Sequence, residues 1–201
     1  MDKRMDKILK SIKRDLEKFF DIRIKPAKLF LLNSRKQINQ LRHEKTEPWV
    51  VGWIKNNTIY ILNPDVFTKE SNHKDVNEFW RVLKHEYSHI VIEQFCKRRP
   101  RGPAWLIEGL CCYLAEQEKR KPKDKELSAI FKKKLNSREI YAVGYFWVKF
   151  LIEKFGKSKL LTLIKSMNQK IGRSGFVYEF YRIYGFHYSK EEFNKFLNIN
   201  K

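Results

Sequence analysis

Apolar residues near the amino terminus recur every three or four positions among charged ones. The residues that follow this spacing are Met5, Ile8, Leu9, Ile12, Leu16 and Phe19. Such a period is typical of an amphipathic α-helix that buries one face. We therefore predict a helix over residues 5–20, within an N-terminal part of residues 1–25.

Three short apolar runs follow, each with the length and flanking turn residues of a β-strand. They cover residues 28–32, 49–54 and 58–62. Asn56 and Asn57 separate the last two runs, and asparagine tolerates the positive φ of a tight hairpin turn. The Asn-Pro-Asp sequence at residues 63–65 ends the strand region. The pattern predicts a small antiparallel or mixed sheet within residues 26–65.

From residue 75 onward the apolar period is helical. Helices are predicted over residues 75–96, 103–118, 124–135, 137–154, 158–170, 174–184 and 190–199. Gly156 and Gly185 end two of them, and Asn136 with Glu139 has the spacing of a capping box. We predict an α+β fold in a single domain of residues 1–201. A mainly helical body, with residues 75–118 and 124–199 as its two parts, follows the small sheet.

Composition narrows the class of protein. The 201 residues are 42% hydrophobic, which suffices for a core and excludes a disordered or fibrous chain. No apolar stretch is long enough to span a bilayer, and the amino terminus lacks the apolar region of a signal peptide. The three cysteines, Cys96, Cys111 and Cys112, favour buried packing in a reducing compartment over a disulfide framework. We therefore expect a cytoplasmic protein.

The net charge of +20, from 43 basic and 23 acidic residues, leaves the partner open. Nucleic acid, an anionic membrane face and acidic substrates would each be attracted by it. A general bias toward lysine would produce the same charge without any partner. No zinc finger, phosphate-binding loop or aromatic stacking signature supports a nucleic-acid interface.

The segment His85-Glu86-Tyr87-Ser88-His89 carries the clearest chemical signal. Residues four apart share one face of a helix, so His85 and His89 can reach the same metal ion. Zinc suits imidazole ligands and hydrolytic chemistry. Glu86 is placed to reach a water molecule on that ion. The alternative is that both histidines are ordinary core or surface residues.

A catalytic zinc site takes three protein ligands, and Glu108 is the candidate for the third. Eighteen residues separate it from His89, and it is the one acid in the apolar stretch of residues 105–115. The proline- and glycine-containing turn at residues 100–103 would let a second helix fold back beside the first. A buried carboxylate needs a partner, which a metal ion or a lysine would supply.

These ligands at this spacing, with Glu108 inside Trp-Leu-Ile-Glu-Gly-Leu, resemble the gluzincin zinc metallopeptidases. The overall pattern is similar to the short bacterial peptidase-MA-like domains. Residues 52–54 and 59–64 resemble the sheet edge that holds an extended substrate in those enzymes. Residues 141–144 are similar to their Tyr-x-x-Gly helix, and residues 180–185 with 189–196 to their C-terminal helix pair.

The resemblance implies roles for five residues. His85, His89 and Glu108 would hold one Zn²⁺, and Glu86 would act as general base in the hydrolysis of a peptide bond. Tyr141 matches the family tyrosine that donates a hydrogen bond to the oxyanion. Tyr145 in the same predicted helix is the alternative donor. The substrate would be a peptide or protein, acidic if the basic charge selects it.

The sequence departs from the family in its second shell and its specificity residues. Cys112 stands where thermolysin-like members place the aspartate that orients the first histidine. Glu93 or a backbone carbonyl would have to substitute for it. The Gly-x-Met-Glu-Asn strand of aminopeptidases is absent, and His187 is a poor match for thermolysin's late histidine.

Two further functions remain open at the level of sequence. The chain could be a nucleic-acid-associated basic protein, including a protease that works close to DNA. It could also be a metal-binding scaffold that keeps the fold without turnover.

Overall fold

A computed structural model describes residues 3–131, 135–167 and 172–197. The elements in chain order are α1 (Lys3–Phe20), β1 (Lys28–Leu32), α2 (Arg35–Arg42), β2 (Gly52–Lys55), β3 (Thr58–Leu62), α3 (Pro64–Phe67), α4 (Val76–Phe95), α5 (Ala104–Leu114), α6 (Asp124–Leu127), a 3₁₀ turn (Ser128–Phe131), α7 (Ser137–Phe155), α8 (Lys157–Ser166), α9 (Arg173–Tyr184) and α10 (Lys190–Leu197). The α+β class is confirmed. None of the helices in these ranges is long and apolar enough to cross a bilayer.

The sheet is mixed, with strand order β1-β3-β2. β1 pairs with β3 in parallel and β2 pairs with β3 in antiparallel orientation. Asn56 and Asn57 close the β2–β3 hairpin with φ values of 51° and 57°, as their tolerance of left-handed backbone predicts. β2 is therefore an edge strand, in line with the resemblance of residues 52–54 to a substrate-holding sheet edge. Residues 59–64 were compared with the same edge, but β3, which contains residues 59–62, is the central strand.

The chain forms two compact units, of residues 1–94 with 114–116 and of residues 95–113 with 117–201. In the first unit, the apolar face of α1 and the central strand supply the core. Its wholly buried side chains include Ile59, Ile61, Phe67, Phe79 and Leu83. The amphipathic pattern of α1 is explained by this packing, because Met5, Ile12, Leu16 and Phe20 are its buried residues.

The second unit is helical and has an aromatic core. Trp147 of α7 and Phe193 of α10 meet edge to face, with ring centroids 4.3 Å apart, and Phe180 of α9 lies 5.6 Å from Phe193. Edge-to-face contacts of this kind are favourable beyond the area they bury. The predicted capping box is present, since Asn136 Oδ1 accepts from Glu139 N–H and Glu139 Oε2 accepts from Asn136 N–H.

The element boundaries differ from the predictions in several places, among them β2, which spans Gly52–Lys55 and not residues 49–54. The helices α2 and α3 were not predicted. α5 ends at Leu114 and not at 118, because Glu116 adopts a left-handed φ of 54°. The helix predicted over 124–135 is a single turn followed by the 3₁₀ turn. α8 ends at Ser166 with Met167 as its C-cap, and not at residue 170. The predicted end at residue 199 lies outside the described residues.

Candidate metal centre

Helix α4 places His85 and His89 on one face, as their spacing predicts. Their Nε2 atoms are 3.2 Å apart, and the ring centroids are 4.9 Å apart with the planes inclined by 73°. His85 is buried at 6% exposure and His89 is half-buried. At this distance the two nitrogens are within hydrogen-bonding range of each other.

This arrangement fits a tetrahedral metal ion. Zinc–imidazole bonds of about 2.0–2.1 Å at a tetrahedral angle put two ligand nitrogens about 3.3–3.4 Å apart. The observed 3.2 Å between Nε2 of His85 and Nε2 of His89 is close to that separation. The separation of the two nitrogens is therefore compatible with shared coordination of one zinc ion.

Hydrogen bonds fix α4 against the sheet of the same unit. The Tyr87 hydroxyl accepts from the Ala27 N–H at 3.2 Å. Seven residues later on the same face, Gln94 accepts from the Lys25 N–H and donates to Asn57 Oδ1. Burial raises the pKa of the Tyr87 hydroxyl, while its hydrogen bond with Ala27 opposes that shift. The two histidines thus lie on a helix that is held in place by hydrogen bonds within the motif, at Tyr87, and after it, at Gln94.

Glu86 lies beside the edge strand β2. A Cβ built at Gly52 would be 3.4 Å from Glu86 Cγ and 3.1 Å from the Tyr60 carbonyl oxygen. The absence of a side chain at Gly52 therefore lets the β2 backbone pass close to the Glu86 side chain. Glu86 is half-buried. The candidate general base and the edge strand β2 are thus neighbours within one unit.

Helix α5 carries the candidate third ligand. Glu108 is half-buried, in a segment whose neighbours Trp105, Leu106 and Leu110 are buried. Cys111 follows Glu108 by three residues and is wholly buried, so the two side chains share a face of α5. The sequence interpretation assigned Cys111 to packing alone. The three-residue spacing was the signal that could have added it as a ligand candidate.

Tyr141 and Tyr145 both lie on α7 and are half-buried. The Tyr145 ring lies 6.5 Å from that of Tyr113 on α5, and burial raises the pKa of its hydroxyl. Gly144, the glycine of the Tyr-x-x-Gly segment, packs directly on Gly109 of α5. The roles predicted for Tyr141 and Tyr145 stay predictions.

The remaining histidines and Cys96 have other surroundings. His43 is the left-handed C-cap of α2, His73 Nδ1 contacts Glu78 of α4, and the His187 ring stacks on Tyr181. Cys96 donates to the Ile164 carbonyl, and burial raises its pKa to about 11. A thiol that stays protonated is a poor metal ligand.

The basic segments at residues 97–101 and 119–125 are largely exposed. Arg120 is paired with Glu126 at 2.5 Å, so part of the second segment's charge is neutralised locally. The lysines at residues 132–134 lie outside the described residues. Exposed basic segments are compatible alike with an acidic substrate, with nucleic acid and with general solvation.

Comparison of the chain with protein-family models, with curated proteins and with solved structures finds no match. A function for this chain therefore has to be argued from the residues and geometry described above.

Proposed function

We propose that the protein is a zinc-dependent hydrolase of peptide bonds. The observation that carries the proposal is the 3.2 Å separation of the His85 and His89 Nε2 atoms on one face of α4. Two imidazoles at that separation, with a glutamate directly after the first, would supply two of the three ligands and the general base of hydrolytic zinc chemistry.

We assign the third ligand to Glu108. A carboxylate is ionised at neutral pH, and its position in an otherwise apolar helix gives it a strong reason to bind a cation. His85, His89 and Cys111 form a group of side chains that could also hold a metal ion. Cys111 is therefore the competing third ligand. We prefer Glu108 because a carboxylate is ordinarily ionised at neutral pH, whereas a thiol has to lose its proton before it binds zinc.

A zinc ion in this site would lower the pKa of a bound water and polarise the scissile carbonyl. Glu86 would accept the proton of the attacking water and deliver it to the leaving amine. The half-buried position of Glu86 beside the Gly52 backbone suits that task, because partial burial keeps the carboxylate from being fully solvated.

The edge strand β2 would bind the substrate. Its outer backbone groups can pair with an extended peptide by strand addition, which selects for backbone and not for side chain. The close approach of β2 to Glu86 at Gly52 would bring the peptide to the general base. Tyr141, from the second unit, is our candidate donor to the oxyanion.

The test combines metal analysis with a cleavage assay on a diverse peptide library. The unmodified protein is expected to bind one zinc ion and to cleave peptides. Glu86→Gln should keep the zinc and lose hydrolysis, whereas His89→Ala should lose the zinc. Glu78→Gln, on the same helix but paired with His73, is the matched control and should change neither property.

The outcomes separate the competing functions. Hydrolysis by metal-free Glu86→Gln protein would contradict the mechanism. Stoichiometric zinc without cleavage of any library member would identify a metal-binding scaffold and remove the enzyme proposal. Tight, salt-dependent DNA binding in the absence of zinc binding would favour the nucleic-acid function.

A further inference from the structure

A cavity of about 450 Å³ lies within the second unit, at the amino-terminal ends of α5 and α9. Its size falls in the range of small-molecule sites, about 300–1,000 Å³. Gly102, Pro103 and Ala104 lead into α5 along one wall, and Gly172 and Arg173 begin α9 along another. The proposed hydrolysis uses none of these residues.

The walls of the cavity are mostly apolar. Trp105, Ile130, Ile140, Phe176 and Tyr188 supply them. The indole ring of Trp105 is parallel to the Tyr188 ring, with centroids 6.2 Å apart. Trp105 itself is buried at 3% exposure. The cavity can therefore hold an apolar body against aromatic and branched side chains.

Two arginines, and no acidic residue among the described residues, line the cavity. Arg101 and Arg173 are both exposed, as expected for cations at the mouth of an apolar space. Arg173 Nη2 donates to the Phe131 carbonyl at 2.5 Å. A guanidinium has five N–H donors, so most of the donors of Arg173 can still bind a ligand.

The helix ends add positive potential at the same place. Neither α5 nor α9 has an acidic residue in its first turn, and the N-cap Gly172 provides no side-chain acceptor. Arg173 is the first residue of α9, where a cation is unfavourable because the helix dipole is positive there. An anion bound beside the two arginines would offset the positive potential of the helix ends and the unfavourable position of Arg173.

We propose that this cavity binds a small carboxylate with an apolar body, such as a medium-chain fatty acid. The carboxylate lies at the mouth against Arg101 and Arg173, and the hydrocarbon fills the space lined by Trp105, Ile130 and Phe176. The proposal is independent of the metal centre, since it requires neither zinc nor peptide cleavage.

Isothermal titration of the full chain with decanoate tests it. Decanoate is expected to bind one site at least tenfold more tightly than 1-decanol, which has the apolar body alone, and than acetate, which has the charge alone. Arg101→Gln and Arg173→Gln should each weaken decanoate binding about tenfold, because each removes a charge-assisted hydrogen bond. Ala129→Phe, which fills the cavity, should abolish binding while circular dichroism stays unchanged.

Arg99→Gln is the matched control, because Arg99 is exposed in the same basic segment but does not line the cavity. It should leave the decanoate affinity unchanged. Equal losses in Arg99→Gln and Arg101→Gln would show attraction to the general positive charge and overturn the site. Equal affinities for decanoate and 1-decanol would overturn the carboxylate assignment.

Discussion

Gly109 of α5 and Gly144 of α7 bring the two helices into direct backbone contact. A Cβ at Gly109 would lie 2.2 Å from the Gly144 carbonyl carbon, and a Cβ at Gly144 would lie 2.2 Å from the Trp105 carbonyl oxygen. Real side chains do not tolerate such distances, so both positions require glycine. The contact fixes α5, which carries Glu108, against α7, which carries Tyr141.

Gly144→Ala is expected to lower the free energy of unfolding by about 2–3 kcal/mol, because one added methyl forces the helices apart. The higher helix propensity of alanine offsets only about 1 kcal/mol of the clash. Gly109→Ala should have a similar effect. Urea unfolding followed by circular dichroism measures both changes.

Gly172→Ala serves as the control for these variants. A Cβ there meets nothing within 4 Å, and its φ of −70° suits any residue. The expected loss is below about 1 kcal/mol, from the poorer N-cap alone. A loss at Gly172 equal to that at Gly144 would show that the glycine contact is not the cause.

Arg35 organises the loops of the first unit. Its guanidinium donates to the carbonyl oxygens of Pro48 at 2.8 Å and Glu70 at 2.8 Å, and also to the Val50 carbonyl. Arg35→Lys is expected to lower the free energy of unfolding by about 2–3 kcal/mol, because a single ammonium cannot serve carbonyls in several directions. Urea unfolding measures the change.

Arg42→Lys is the matched control for that substitution. Arg42 lies on the same helix α2 and forms an exposed pair with Glu44 at 2.7 Å. Exposed pairs contribute little, so a loss below about 1 kcal/mol is expected. Similar losses in the two variants would mean that charge, and not the fork geometry of Arg35, is responsible.

The sequence predicted elements well where an apolar period and clear end signals coincided. β1 has the predicted bounds because Pro26 precedes it and Asn33 follows it. α2 was missed because it contains only one buried apolar residue, Ile38. A signal for the start of α2 was nevertheless present, since Ser34 is an N-cap whose side chain accepts from the Gln37 N–H.

The sequence could predict only those parts of the candidate site that lie within a single helix. The four-residue spacing of His85 and His89 determines their shared face, because one helix contains both. The need for glycine at 109 and 144 and the reach of Arg35 to residues 48–70 depend on contacts between distant segments. Periodicity within one segment carries no information about such contacts.

Glu126 is expected to titrate far below an ordinary glutamate. Its carboxylate accepts two hydrogen bonds from Arg120 and one from the Lys123 N–H, and these bonds lower its pKa from 4.5 to about 2. Because the pKa is lower in the folded state, the stabilisation is present above pH 4.5 and is lost as the pH falls through about 2. Carbon NMR titration of the side-chain carboxyl measures the midpoint.

Arg120→Gln should move that midpoint back toward the ordinary value of 4.5, whereas Arg98→Gln should leave it unchanged. A midpoint near 4.5 in the unmodified protein would show that the Arg120–Glu126 pair does not persist in solution.

The third metal ligand can be identified by replacing zinc with cobalt. Co²⁺ accepts the same tetrahedral sites, and a bound thiolate adds an intense sulfur-to-metal absorption band in the near ultraviolet that a carboxylate lacks. With Glu108 as ligand, the cobalt protein shows no such band, and Glu108→Ala weakens zinc binding by at least tenfold. Cys111→Ala keeps the zinc affinity and serves as the control on the same face of α5. A near-ultraviolet band that disappears in Cys111→Ala would instead assign the position to Cys111. It would leave Glu108 outside the site, while His85 and His89 would keep their roles.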